Sequence, residues 1–359
     1  PMKKFLTLAF ALVFTTGIAF GQNNTATVNQ SGSSSSATVD QQGSDHTAFI
    51  DQSSSFGSGH SAEVYQSGGS DNFSDVLQDQ ANAEALIDQI GSDNEARTKQ
   101  SGFNDLDVYQ EGDGNILGQY SNLSNRAFQK NGTGVFASDK NILDVDQIGD
   151  QNKAGTWQEH HGEATIEQYG SYNDGRIYQS GAPGQSLNKA TIKQGVPNYV
   201  SDDNSADIYQ NGEGNEASFA LQMGDQNSVD IDQFGDQNYS EFFVKYGDMN
   251  DVTMDVDGVG NRTRFSIDAG WGSKSSSNVV TFNKDGDNNY LSGQIEGDGN
   301  VVDVIQNGSN NRVGTSWHTS DGVSILGNSN TVDITQMSNA NSATVTVSGN
   351  SNTATVTQN

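Results

Sequence analysis

The residues of this chain whose type and spacing could do chemistry are side-chain amides. Asn is followed six residues later by Gln at Asn72–Gln78, Asn94–Gln100, Asn152–Gln158, Asn204–Gln210, Asn227–Gln233 and Asn300–Gln306, with further copies between and beyond them. A primary amide carries both donors and an acceptor, so identical amides brought into register can bond copy to copy. That chemistry is cohesive, not bond-breaking. The competing candidates are weaker. With 45 Asp and Glu in the chain, carboxylate pairs at any chosen spacing arise by chance, and no pair marks a glycosidase. His46, His60, His160, His161 and His318 follow no period and no metal motif. No nucleophile elbow, Gly-Lys-Ser/Thr phosphate loop or paired metal motif is present. The expectation is therefore no catalytic, cofactor-binding or metal residue and no small-molecule substrate.

Amides can stack only if something repeats them at constant phase, and the intervening residues say what. In Asn204-Ser-Ala-Asp-Ile-Tyr-Gln210, a strand places Asn204, Ala206, Ile208 and Gln210 on one face and Ser205, Asp207 and Tyr209 on the other. Val or Ile recurs two residues before the Gln (Val76, Val145, Ile177, Ile231, Val304), and Ala or an aliphatic residue four before it (Ala96, Leu143, Ala154, Val302). Such β-branched enrichment suits strands. Between copies lie Gly-x-x-Asn linkers such as Gly149-Asp-Gln-Asn152, whose Gly supplies the positive φ of a tight corner. Two arms make one coil of about 22 residues, and a fixed short period means stacked units, not a single globular core. The predicted fold is all-β: a β-solenoid of stacked strand-turn-strand coils, two strands each, with amide ladders at ~4.8 Å as in cross-β, amyloid-like packing.

The repeated Asn-x5-Gln-x-Gly-x-x-Asn-x5-Gln pattern resembles the curlin repeat of curli-type amyloid subunits, over about residues 24–359 and most clearly at 72–115, 141–179, 204–238 and 300–358. The resemblance implies an extracellular, cell-surface fibre of the biofilm matrix, self-assembly as a homopolymer, a nucleating subunit, and export through a dedicated outer-membrane channel. It also implies that the twelve Asn and Gln residues named above occupy ladder positions. The chain departs from the family in having many more arms and in lacking a separate Gly-rich stretch before the repeats, which begin at Asn24. The pattern weakens between about 241 and 326, where Lys245, Asp257, Asp268, Lys284 and Trp317 stand near expected Gln sites.

The rest of the sequence bounds this reading. A charge of −28, from 45 acidic against 17 basic residues, makes nucleic acid an improbable partner. Residues 1–21 are expected to be a secretory signal peptide, with Met2-Lys3-Lys4 basic, Phe5 to Phe20 apolar, and Pro1 foreign to it. Residues 22–359 then form one repeat domain, irregular at about 241–326. Cys is absent, so no disulfide staples an exported chain. Outward Asp75, Asp107, Asp144, Asp207, Asp230, Asp303 and Asp333 fall at one phase and oppose premature stacking. Tyr65, Tyr109, Tyr178 and Tyr209 share the outward site before the Gln, as a candidate adhesive surface. The near-identical arms Asn24–Gln30 and Asn352–Gln358 mark Val28, Gln30, Val356 and Gln358 as candidate assembly ends. The alternatives are a nucleating subunit of the same fibre, or a soluble surface-binding solenoid (adhesin or ice-binding), for which outward Thr27, Thr38, Thr335 and Thr355 speak.

Overall fold

The structure, a computed structural model, describes residues 23–53, 59–80, 82–119, 121–122, 126–130, 140–182, 186–197, 199, 201–221, 223–268, 274–315 and 321–359. The expected signal peptide, Trp317 and His318 lie outside the described residues. Among the described residues, thirty strands form two 15-stranded sheets in which every strand pair is parallel. Alternate strands enter alternate sheets: β1 (Thr25–Ser31) pairs with β3 (Thr47–Ser53), and β2 (Ser36–Gln41) with β4 (Ser61–Ser67). One coil is thus two strands, and Thr25 pairs with Thr47, 22 residues on. No helix interrupts the described strands. The fold is an all-β parallel solenoid.

Alternation fixes the core. In Ser205–Asn211, Ala206, Ile208 and Gln210 are buried while Ser205 and Asn211 are exposed. Each fully buried Ile or Val contributes roughly 1.5–3 kcal/mol. The core is the seam of such residues along both sheets. At the corners Gly149 has φ 117°, and a Cβ there would lie 2.0 Å from the Gly170 carbonyl oxygen of the next coil. Only Gly lets successive corners approach that closely. A second left-handed residue precedes the Asn of many turns, as at Gln151 and Tyr172, with φ of 57° and 61°.

Two features were not legible in the repeat. One level of the first sheet is split between Ile116–Gln119 and Ala127–Lys130, both of which pair with Lys153–Glu159 and with Glu95–Ser101. The intervening residues break the Asn-x5-Gln spacing without breaking the sheet. The segment expected to be irregular at about 241–326 holds strands Tyr239–Val244, Asp251–Asp257, Arg262–Ile267, Val279–Asp285, Tyr290–Glu296 and Val301–Asn307, each paired in register with its neighbours. What changes there is side-chain type. Val244, Val256 and Ile267 occupy the Gln column, so Lys245, Asp257 and Asp268 do not; they follow it and point outward. The phase is set by Asn238, Asn250 and Asn261, and counting six residues from each gives the buried positions. Lys284 does stand on the column.

Bulk compensates locally in this stretch. Buried Phe219, Phe242 and Phe265 stack at 6.3 and 6.2 Å, and Phe282 meets Phe265 edge-on at 4.9 Å. Gly293 pairs with Phe265, and a Cβ on it would lie 2.3 Å from the Phe265 ring. The missing side chain is the room the ring occupies.

Candidate functional site

The Gln side chains form two columns, one per sheet, at the corner where a strand of one sheet ends. In the first sheet each Nε2 donates to Oε1 of the next Gln: Gln78 to Gln100 at 2.9 Å, Gln100 to Gln129 at 3.1 Å, Gln129 to Gln158 and Gln158 to Gln179 at 3.0 Å, Gln179 to Gln210 and Gln210 to Gln233 at 2.9 Å. The second sheet carries the same run from Gln41 to Gln194 at 2.7–2.9 Å. The remaining Nε2 proton crosses to a carbonyl at the start of the facing strand, just after its Asn, as from Gln158 to Ile142 at 2.9 Å and from Gln210 to Lys189 at 2.9 Å. Within these runs a Gln such as Gln158 or Gln210 bonds along the stack and also closes its own coil, so its buried amide is fully used.

Asn does something different. It was expected to bond side chain to side chain, yet its Oδ1 accepts from the backbone N–H of the Asn one coil on, while Nδ2 donates to that coil's corner carbonyl. Asn72 thus accepts from Asn94 N at 3.0 Å and donates to Gly91 O at 2.8 Å. The pattern recurs at Asn94, Asn152, Asn204 and Asn227, with side-chain bonds of 2.9–3.1 Å added at many steps, as between Asn204 and Asn227. Asn300 continues it, accepting from Asn330 N at 3.0 Å. All twelve expected ladder residues are at most 1% exposed.

A family model, the curlin associated repeat, matches residues 21–53, 224–258 and 327–359. These three segments are curlin repeats. No match to a curated protein was found. Two of the three matched segments contain the terminal strands of the first sheet, and the third spans the step from Gln233 to Val256 where that sheet's Gln column changes.

Elsewhere this curlin-repeat protein substitutes its amides. His46 and His60, both buried, take Asn positions: Nδ1 of each accepts a backbone N–H from the next coil (Asn72 and Ala83, both 3.3 Å), and Nε2 faces the Gln42 and Ser53 carbonyls at 3.2 and 3.4 Å. A neutral imidazole protonated on Nε2 offers one donor and one acceptor, which is what the Asn position asks for. Burial pushes the pKa of His60 down, against the opposing pull of the Ser53 carbonyl and Asp79. Sequence periodicity missed both residues because the column was read as Asn alone.

Lys284 is the other substitution. Its Nζ donates to Arg262 O at 2.6 Å, and burial drives its pKa well below the ordinary 10.5. The next residue of the column, Gln306, is left with a buried Oε1 that has no hydrogen-bond partner. It still donates to Tyr290 O at 3.1 Å and to Gln336 at 2.9 Å.

On the outer faces the acidic stripes are crowded. Desolvation, then the neighbouring carboxylates, raises Asp146 and Asp232 to about 6, and raises Asp144, Asp230 and Asp303 as well; desolvation raises Asp107 against the opposing Val108 N–H. Of the four outward tyrosines, Tyr178 and Tyr209 stack at 4.4 Å, whereas Tyr65 and Tyr109 lie on the other sheet and bond to Glu63 and Glu111. At the ends, Val28 and Val356 are half-buried against the core. Gln30 Nε2 donates to Gln52 at 2.7 Å, and Gln358 accepts from Gln336 at 2.7 Å. Among the described residues no group of three or more His, Cys, Asp or Glu could hold a metal ion.

Proposed function

We propose that this curlin-repeat protein is the subunit of an extracellular fibre that grows by docking the last coil of one copy on the first coil of the next. The observation that carries the reading is the direction of the Gln column. Every bond runs from Nε2 of one coil to Oε1 of the next, so Gln30 presents an acceptor at one end and Gln358 a donor at the other. The terminal strands also match in sequence: Thr-Ala-Thr-Val-x-Gln stands at Thr25–Gln30 and at Thr353–Gln358. Docking them parallel repeats the register by which Thr331–Gln336 already pairs with Thr353–Gln358 inside the chain. Such a head-to-tail contact does not close, and it generates a filament. Nucleation by a second subunit, and export through an outer-membrane channel of the curli type, complete the reading.

The test is to incubate purified residues 22–359 and to compare them with separate Val28→Lys and Val356→Lys variants, each of which puts a charge in one docking face. The native sequence should give fibres with a meridional repeat of ~4.8 Å. Each variant should keep the β-rich circular dichroism of the native chain but form no fibres alone, since every head-to-tail contact uses both faces. On labelled native seeds it should cap one end, the opposite end for the two variants. A native chain that stays monomeric at high concentration would overturn the reading and favour a soluble surface-binding solenoid.

A further inference from the structure

In the second sheet the amide column has a direction and is left once. From Gln41 to Gln194 each Gln donates to the next, and from Leu221 through Val244, Ile267, Ile295 and Ile325 to Val347 the column is apolar. Leaving an amide run costs little, because the spare Nε2 proton finds an oxygen inside the chain. Gln194 Nε2 donates to Asn204 O at 3.0 Å, and Gln233 Nε2 to Ser240 Oγ at 3.0 Å. Re-entering a run is different. Gln306, which follows Lys284 in the first sheet, keeps a buried Oε1 without a hydrogen-bond partner. An amide oxygen that points back along the stack needs a donor on the preceding coil.

When copies dock end to end, the second sheet re-enters its amide run at the joint. Continuing the register of each sheet sets Ala354, Val356 and Gln358 on Ala26, Val28 and Gln30 of the next copy, and Ala343, Val345 and Val347 on Ala37, Val39 and Gln41. The first sheet is matched: Gln358 Nε2 has a proton left after its bond to Ser342 O at 2.9 Å, and Gln30 Oε1 can accept it. A corner is matched as well. Asn328 N donates to Asn350 Oδ1 at 2.8 Å, and Asn350 N can donate in turn to Ser44, which holds that corner in the first coil. Gln41 is the exception. Its Nε2 is committed to Gln66 Oε1 at 2.8 Å and Thr25 O at 3.1 Å, so it offers the joint an Oε1, and Val347 has nothing to donate. Residues 23–39 and 334–359 carry no charged side chain, so hydrogen bonding and not charge decides the fit.

We propose that Gln41 is the residue by which the N-terminal end discriminates among docking partners. That end fits a repeat chain whose last coil carries Gln in both sheets, and it holds a copy of this chain one hydrogen bond short. A sheet edge is a template, and here the template asks for a donor that the chain's own last coil lacks. Burying an acceptor unpaired costs more than a bond that was never offered, which is why this position discriminates where an apolar one would not. The joint between copies is then the weakest level of the fibre, the one at which it opens. The preference presupposes the end-to-end docking proposed above.

Two chemically identical substitutions test it. Gln30→Met and Gln41→Met each strand the Oε1 of the next Gln, Gln52 or Gln66, so their cost inside the chain is alike. At the joint they act oppositely: Gln30→Met strands the Gln358 donor, whereas Gln41→Met removes the unpaired acceptor and meets Val347 with an apolar side chain. With both folds checked by circular dichroism, the critical concentration for fibre formation should be at least about tenfold lower for Gln41→Met than for Gln30→Met. A second variant supplies the preferred partner. Leu221→Gln, Val244→Gln, Ile267→Gln, Ile295→Gln, Ile325→Gln and Val347→Gln together carry the column unbroken to the last coil. On labelled native seeds this chain should add to the end presenting Gln30 and Gln41 about five- to tenfold better than the native chain. Equal critical concentrations for the two Met variants, or a folded filled-column chain with no preference, would overturn the proposal and leave end-to-end docking standing. A native chain that forms no fibres would overturn both.

Discussion

Two stretches of one solenoid close their coils differently. From Gln30 to Gln233 in the first sheet, and from Gln41 to Gln194 in the second, each corner is closed by an amide that bonds upward and across. From Leu221 to Ile295 the same positions hold Leu221, Val244, Ile267 and Ile295 in the second sheet and Val256 and Lys284 in the first, all at most 1% exposed. The backbone ladder is the same in both. The parallel main-chain bonds together with the Asn column, which runs through Asn227, Asn250, Asn278 and Asn300 without a gap, therefore suffice to hold register. The Gln column adds mutual dependence: an amide is only as good as its two neighbours, whereas an apolar corner stands alone.

That contrast is broken most severely by placing an apolar residue in the middle of the amide stretch. Gln158→Leu strands Gln129 Nε2, Gln179 Oε1 and the Ile142 carbonyl, and should cost about 2–4 kcal/mol in denaturant unfolding. Leu221→Gln, next above Gln194, should cost much less than Ile267→Gln, which has only apolar neighbours in its column. Equal costs would mean that the column is not read by its neighbours.

Lys284→Gln repairs the first sheet in the other direction, by offering Nε2 to the orphaned Gln306 Oε1. Stability should rise by about 1–3 kcal/mol. The sign with pH follows from the depressed pKa of Lys284: the folded state prefers the neutral amine, so native stability is greatest above 10.5 and declines as pH falls from there toward the folded value. The variant should lose that slope; a slope that persists would place its origin elsewhere.

The smallest effect is expected at His60. His60, depressed by burial, contributes its full stability above its ordinary 6.5 and loses it as pH drops below. A doubly protonated ring would also turn an N–H toward the N–H of Ala83. The aspartates act oppositely: Asp146 and Asp232, raised to about 6, favour the folded state as they protonate on acidification. A His60→Asn chain should therefore be less acid-sensitive at its N-terminal coils than the native one, by amide exchange between pH 5 and 7.

The period, the inward and outward phases, and the fold class were legible because strand alternation and a repeated Asn fix both. The role of Asn204 was legible only in part. Its burial follows from phase, but its bonding to the backbone of the next coil depends on corner geometry that no spacing reveals. His46 and His60 escaped notice because imidazole matches Asn in donors and acceptors, not in sequence type. Lys245, Asp257 and Asp268 were assigned to the Gln column one residue late, because polar residues there drew attention away from the buried Val244, Val256 and Ile267. The split level at 116–130 was invisible for a simpler reason: an insertion inside a strand removes the spacing while leaving both halves paired.

Residue-resolved amide hydrogen exchange on the soluble chain tests most directly whether both stretches belong to one continuous ladder. A single solenoid requires strand amides at 239–267 and 279–296 to be protected as strongly as those at 141–179, with protection falling only at the coil corners and toward the ends. Fast exchange throughout 239–296 beside strong protection at 141–179 would contradict it, and would mean that the amide columns, not the backbone ladder, carry the fold.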